Sequence, residues 1–198
     1  TFMMIIMIYA AGVNGKIYWG CAAAVCASLP VVYMLMADHQ RARIDAFLNP
    51  NDLSLNANYQ VWHSKIAIGS GGFFGKGLFQ GEQKSLNYLP VANSDFIFAV
   101  ICEELGFIGG GAVIGLYGLF MYRIVKIATK AKDTYGYLIV IGLGSMFFFQ
   151  IFENIGMTMG IMPVTGITLP FISSGGTSVI MNMIALGIII SVGIRSKI

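Results

Sequence analysis

The stretch Asn87-Tyr88-Leu89-Pro90-Val91-Ala92-Asn93-Ser94-Asp95-Phe96-Ile97-Phe98-Ala99-Val100 joins a long polar, glycine-rich segment to an apolar run. Asp95 is the last charged residue before that run begins. A carboxylate at such a seam sits at a membrane surface beside a helix N-terminus, and it faces whatever the preceding loop gathers. Asn93-Ser94-Asp95 is also good N-cap chemistry, which would account for the residue by itself. An ionisable group at a membrane span, however, raises a functional hypothesis by default. Asp95 is therefore the candidate reactive group.

The membrane reading comes from composition. The 198 residues are 57% hydrophobic and 11% charged, with a mean hydropathy of +0.76. A soluble domain of this size needs more polar surface. The net charge of +3 is too small to argue for nucleic acid. Cys21, Cys26 and Cys102 lie in apolar runs at no metal-ligand spacing and read as small packing residues.

Crossing the hydrocarbon core takes about 20 apolar residues. Five hydrophobic segments meet or approach this: Phe2–Gly12, Ile17–Met36, Phe96–Tyr122, Tyr135–Met159 and Phe171–Gly193. The first is too short to span. It is read as the end of a truncated helix and not as a signal peptide, because no basic n-region or cleavage site accompanies it. The expected fold is an all-α integral membrane protein forming one polytopic domain over 1–198.

Arg123, Lys126, Lys130 and Lys132 crowd the connection at about 122–134, and Arg195 and Lys197 end the chain. The positive-inside bias makes that side cytoplasmic, with the short Val13–Lys16 turn on the same side. The loop at about 37–95 and the Gly160–Pro170 loop are then external. The long loop begins as a polar helix through Asp38–Asp45 and turns at Asn49-Pro50-Asn51-Asp52. It continues as an interfacial helix over Tyr59–Ile68 with Trp62 at headgroup level.

Gly69-Ser70-Gly71-Gly72-Phe73-Phe74-Gly75-Lys76-Gly77 follows. It fails as a nucleotide loop, since Gly77 stands where Ser or Thr is needed and Ser70 where the first glycine is needed. It is left as a flexible link or as backbone that approaches a phosphate with Lys76 supplying charge. The run Ser173-Ser174-Gly175-Gly176 puts a helix N-terminus on the same face, where an anion is favoured; helix capping is the plainer alternative. Glu103 and Glu104 lie roughly 12 Å along the helix from Asp95, and Glu153 intrudes on the fourth run. With no Lys or Arg in the apolar runs, these three acids are expected to form an interhelical polar clasp, or else a proton or substrate path. Gly106–Gly110 and Gly156–Gly160 read as helix-packing G-x-x-x-G pairs.

Several blocks together resemble one family. They are Ser64-Lys65-Ile66-Ala67-Ile68-Gly69-Ser70-Gly71-Gly72, Gly75-Lys76-Gly77, Gln83-Lys84, Leu89-Pro90, Asp95–Val100, Glu103–Gly109, Asn154–Met157 and Met162–Gly166 through Gly175-Gly176. The family is SEDS (shape, elongation, division and sporulation), and the first block and Asn154–Met157 are closer to its RodA branch than to its FtsW branch. Ser174 stands where tyrosine is usual.

The resemblance implies the C-terminal half of a ten-helix peptidoglycan glycosyltransferase in the bacterial cytoplasmic membrane, with its active site on the external face. It implies lipid II as substrate, undecaprenyl pyrophosphate as leaving group and a class B penicillin-binding protein as partner, in the service of cell shape and elongation. The family's essential aspartate falls on Asp95. Lys65, Lys76, Gln83, Lys84, Ser173, Ser174, Gly175 and Gly176 are the expected substrate contacts. A divalent cation, Mg or Mn, bridging Asp95 and the pyrophosphate is the expected cofactor. A helix N-terminus would lower the carboxylate's pKa and weaken it as a base, which favours a metal-ligand or electrostatic role if that effect dominates. The competing readings are a lipid II flippase that uses the buried glutamates, and a non-catalytic scaffold for a penicillin-binding protein.

Overall fold

The computed structural model describes residues 2–12, 19–20, 23–24, 27–28, 33, 36–50, 52, 56–78, 80–81 and 94–195. Their regular structure is helical. α1 is Phe2–Ala10, α2 Asp38–Leu48, α3 Asn56–Ser70, α4 Ile97–Ala128, α5 Thr134–Thr158 and α6 Gly176–Arg195. The last three are long and apolar enough to cross a membrane, and they match the third, fourth and fifth hydrophobic runs. Exposed residues along α6 are themselves apolar, among them Ile180, Met181, Ile184, Ile188 and Ile194. Such a face suits an apolar surrounding and not water. Most of the Ile17–Met36 run and the Val13–Lys16 turn lie outside the described residues.

Two apolar clusters hold the bundle together. Ile124, Ala128, Val140, Phe147, Ala185 and Ile189 join α4, α5 and α6 toward one end. The rings of Phe120, Phe147 and Phe171 meet there at 5.2–5.9 Å. Phe171 takes a left-handed backbone (φ 65°) to deliver its ring, a conformation that a bulky residue adopts only when its surroundings impose it. Phe98, Cys102, Tyr117, Ile151 and Leu169 form the second cluster, nearer Asp95. α1 packs on α5, where a side chain at Gly142 would meet the Met7 sulfur at 2.9 Å.

The basic connection at about 122–134 and the end of α6 come together at one end of the bundle. There, Lys132, Asp133 and Arg195 line a single groove, and the Asp133 carboxylate caps α5 by accepting from Gly136 N at 3.1 Å. At the other end lie Asp95, the 160–175 segment, α2 and α3. α2 stops at Leu48, and the expected turn follows. Asn58 Nδ2 donates to Asn49 O (2.8 Å) and Asp52 O (2.9 Å), which fixes the start of α3 against that turn.

α4 is not one straight helix. Gly106 sits inside it at φ 68°, ψ −162°, so the helix is broken into a short first part, 97–105, and a longer second part. Gly106 therefore does not act as half of a helix-packing G-x-x-x-G pair. Gly110 faces Cys102 Sγ and Phe98 of its own helix. The second such pair departs in the same way. Gly156 packs on Met162, and Gly160 has φ 72° and lies against Lys65 and Val61. It lies just past the end of α5, where a left-handed glycine is the common terminator.

Candidate active site around Asp95

Helix α4 begins at Ile97. Its N-cap is Phe96, with no side-chain cap bond. Asp95 is therefore not spent on capping, contrary to the plainer sequence reading. Ser94 Oγ donates to Asp95 Oδ1 at 2.8 Å. The other oxygen, Oδ2, lies 3.4 Å from the place a side chain at Gly166 would occupy, and Arg43 Nη1 lies 3.9 Å from that same place. Gly166, at φ 75°, is what leaves room between the acid and the cation.

Four side chains hold this turn and the 160–175 segment beside it in position. Asn154, fully buried in α5, donates from Nδ2 to Asp95 O (2.9 Å) and to Ile167 O (2.8 Å). It thus ties the Asp95 backbone to the 160–175 segment. Ser173 Oγ donates to Ser94 O and accepts from Leu169 N at 2.7 Å. Tyr117 donates its hydroxyl to Pro170 O. Arg43, on α2, adds a fourth tie by donating from Nη1 to Val164 O (3.2 Å) and Thr165 O (2.8 Å). The result is a half-buried carboxylate with one oxygen taken by Ser94 and the other beside Gly166.

The expected contacts separate into three groups. Lys65, on α3, shares a groove with Arg43, Trp62, Gly160 and Val164 and so belongs to the Asp95 end. Ser174 and Gly176 are exposed at the start of α6, and a side chain at Gly175 would meet Ser178 Cβ at 3.5 Å. Ser173 is 5% exposed, and its hydroxyl is occupied on both sides, so it positions the turn and does not present a free donor. Lys76 is elsewhere: its Nζ pairs with Glu103 Oε1 at 3.2 Å. Gln83 and Lys84 lie outside the described residues.

The clasp reading also changes. Glu103 is fully buried, and its basic partner comes from the glycine loop, not from another helix. Glu153 is hydrogen-bonded by the Thr165 side chain, and Glu104 is buried at 9% exposure. The sequence reading missed Arg43, which it saw only as part of a polar helix. It flagged Glu153 as an intrusion but did not give the adjacent Asn154 its role. A carboxamide inside an apolar run was the available signal.

No group of three or more His, Cys, Asp or Glu side chains among the described residues is placed to hold a metal ion. A single carboxylate is not a resident site.

The family model described as "Cell cycle protein", FtsW/RodA/SpoVE, matches residues 1–198. The chain is 40% identical over 192 residues to the peptidoglycan glycosyltransferase MrdB of Escherichia coli K12, covering 96% of this chain and 52% of that protein. It is 45% identical over 161 residues to the peptidoglycan glycosyltransferase RodA of Treponema pallidum, covering 81% and 37%. With stage V sporulation protein E of Bacillus subtilis it shares 43% over 164 residues, covering 83% and 44%. The chain thus spans about half the length, or less, of these curated relatives.

Among solved structures, one resembles it at a TM-score of 0.76 and 26% identity, over 98% of this chain and 54% of that one. That structure is described as the structural coordination of polymerization and crosslinking by a peptidoglycan synthase complex. The rod shape determining protein RodA of Thermus thermophilus matches at a TM-score of 0.50 and 25% identity, over 88% and 57%. A full-length family match, relatives at 40–45% identity and a shared helical fold lead to one conclusion: this chain belongs to the FtsW/RodA/SpoVE family of multi-pass membrane proteins.

Proposed function

We propose that the chain is the part of a peptidoglycan glycosyltransferase that carries its general base, and that Asp95 is that base. The enzyme polymerises lipid II at the outer face of the bacterial cytoplasmic membrane, beside a class B penicillin-binding protein, for cell shape and elongation. The observation that carries this reading is the fixed Asp95 carboxylate, with Oδ1 held by Ser94 and Oδ2 beside Gly166 and Arg43. The relatives named peptidoglycan glycosyltransferase support the reaction class. The similar complex, described as coordinating polymerization and crosslinking, supports the partner.

The reaction is an inverting transfer. The 4-hydroxyl of the acceptor sugar attacks the donor's anomeric carbon, and its proton passes to Asp95 Oδ2. The bond from that carbon to the pyrophosphate oxygen breaks, and undecaprenyl pyrophosphate leaves. Arg43 and Lys65 supply positive charge on the same side of the bundle, where fixed charge stabilises a developing anion best. A Mg²⁺ or Mn²⁺ ion carried by the donor pyrophosphate would add charge neutralisation there; Asp95 would be its protein ligand only where the carboxylate does not serve as the base.

The test is lipid II polymerisation by the full-length protein with its penicillin-binding partner, with moenomycin silencing other polymerases. Asp95→Asn is expected to slow strand synthesis by about 10²–10⁴-fold, the usual worth of a general base. Strands made at the wild-type rate by a folded, partner-bound Asp95→Asn protein would remove the assignment. Lipid II crossing vesicles without strand formation would favour transport.

A further inference from the structure

The glycine loop is neither a flexible link nor a free phosphate cradle. Phe107 N donates to Gly72 O (2.8 Å) and Ile108 N to Phe73 O (3.3 Å), while Lys76 N donates to Glu103 O and Gly77 N to Glu104 O, both at 3.0 Å. In an unbroken helix the amides of 107 and 108 would bond the carbonyls of 103 and 104. The break at Gly106 removes those two bonds, and the loop satisfies all four groups. The fit excludes side chains. A Cβ at Gly71 falls on the Cys102 carbonyl, one at Gly75 on the Glu104 carbonyl, and one at Gly106 on the loop backbone. Gly72, Gly75 and Gly77 all have positive φ.

The ion pair lies inside this junction. Glu103 is fully buried, Lys76 reaches it at 3.2 Å, and Gly81 closes over it so that a side chain there would meet Glu103 Oε2 at 3.0 Å. Removing one member of a buried pair leaves an uncompensated charge, so the two residues act as a unit. The pair sits at the C-terminal end of 97–105, the short helix whose other end carries Asp95. A cation at that end also suits the helix dipole.

We infer that Lys76 and Glu103 are positioning residues: they lock the glycine loop into the break of α4 and thereby fix the short helix that presents Asp95. This rests on the polymerase reading, and it takes Lys76 out of the substrate contacts. A substrate ligand and a positioning pair give different kinetics. Loss of a phosphate contact raises KM at Lys76 alone, whereas loss of the lock lowers kcat equally from either side.

The experiment uses the full-length protein with its penicillin-binding partner. Lys76→Gln, Glu103→Gln and the double variant are compared for lipid II polymerisation. In parallel, hydrogen exchange over 71–78 is followed without substrate. The expected result is a kcat loss of at least tenfold in each single variant, no further loss in the double, and KM within twofold of wild type. Exchange over 71–78 should rise at least tenfold in all three. A raised KM in Lys76→Gln with Glu103→Gln near wild type overturns the inference, as do additive losses or unchanged exchange.

The charge-reversed protein, Lys76→Glu with Glu103→Lys, is the second variant. If the single variants do not fold, recovery of a folded protein with protected 71–78 supports the lock, and failure of the reversed pair to recover counts against it. The exchange reading does not depend on turnover. A wild type that makes no strands would therefore sink the polymerase reading and leave the lock to be judged separately.

Discussion

Two irregular segments lean on α4, and they are held by different chemistry. The glycine loop at 71–77 is docked by main chain: its four ladder-like bonds use no side chain, and its glycines allow the approach. The 160–175 segment is docked by side chains: Asn154, Ser173, Tyr117 and Arg43 each donate to a carbonyl there or at Ser94–Asp95. The first docking depends on what is missing at each position. The second depends on what is present. Apart from the Lys76–Glu103 pair, substitutions should therefore fail in the first region by adding atoms and in the second by removing them.

The largest effect is expected at the loop. Gly75→Ala puts a methyl on the Glu104 carbonyl at φ 80° and should cost about 3 kcal/mol or more by combined overpacking and backbone strain. Thermal melts of the purified protein check this, and an unchanged melt would mean that the loop is not seated as described. Next comes Asn154→Leu, which keeps the volume but strips donors from two carbonyls. It should cost about 2–4 kcal/mol and slow strand synthesis, as read in the polymerisation assay. Ser173→Ala removes a shared hydroxyl and should cost about 1–2 kcal/mol, again by melting. A cost near zero would show that Ser173 is not a tie.

Gly111 sharpens the comparison, because a side chain there meets nothing within 4 Å. Gly111→Ala should be neutral or stabilising by up to about 1 kcal/mol through helix propensity. If it destabilised as much as Gly75→Ala, glycine content and not loop docking would govern this region.

The same contrast explains what could be read in the sequence. The three long spans, the basic end and the turn at Asn49-Pro50 were legible because side-chain character reports them. Asp95 stood out because it is the last charged residue before an apolar run. The glycine loop's seat was not, since main-chain hydrogen bonds leave no side-chain signature. Gly106 and Gly110 have the spacing of a packing motif, and nothing in that spacing reveals a broken helix. The partner of Glu103 was sought within the apolar runs, whereas Lys76 reaches it from a loop 27 residues earlier. Ser94-Asp95 matched a capping pattern, but the hydroxyl went to the carboxylate and Phe96 became the cap.

The break in α4 also sets an order of assembly. Residues 71–77 leave the ribosome before the strand of backbone that will receive them. About 30 residues separate Gly77 from Ile108, so at roughly 5–20 residues per second the loop waits about 2–6 s for its seat. Through that interval the amides of Lys76 and Gly77 must stay hydrated, and the Lys76 charge must stay in water. Only when the second part of α4 arrives can loop and helix complete each other, so this membrane helix reaches its final hydrogen bonding by waiting for a tertiary partner.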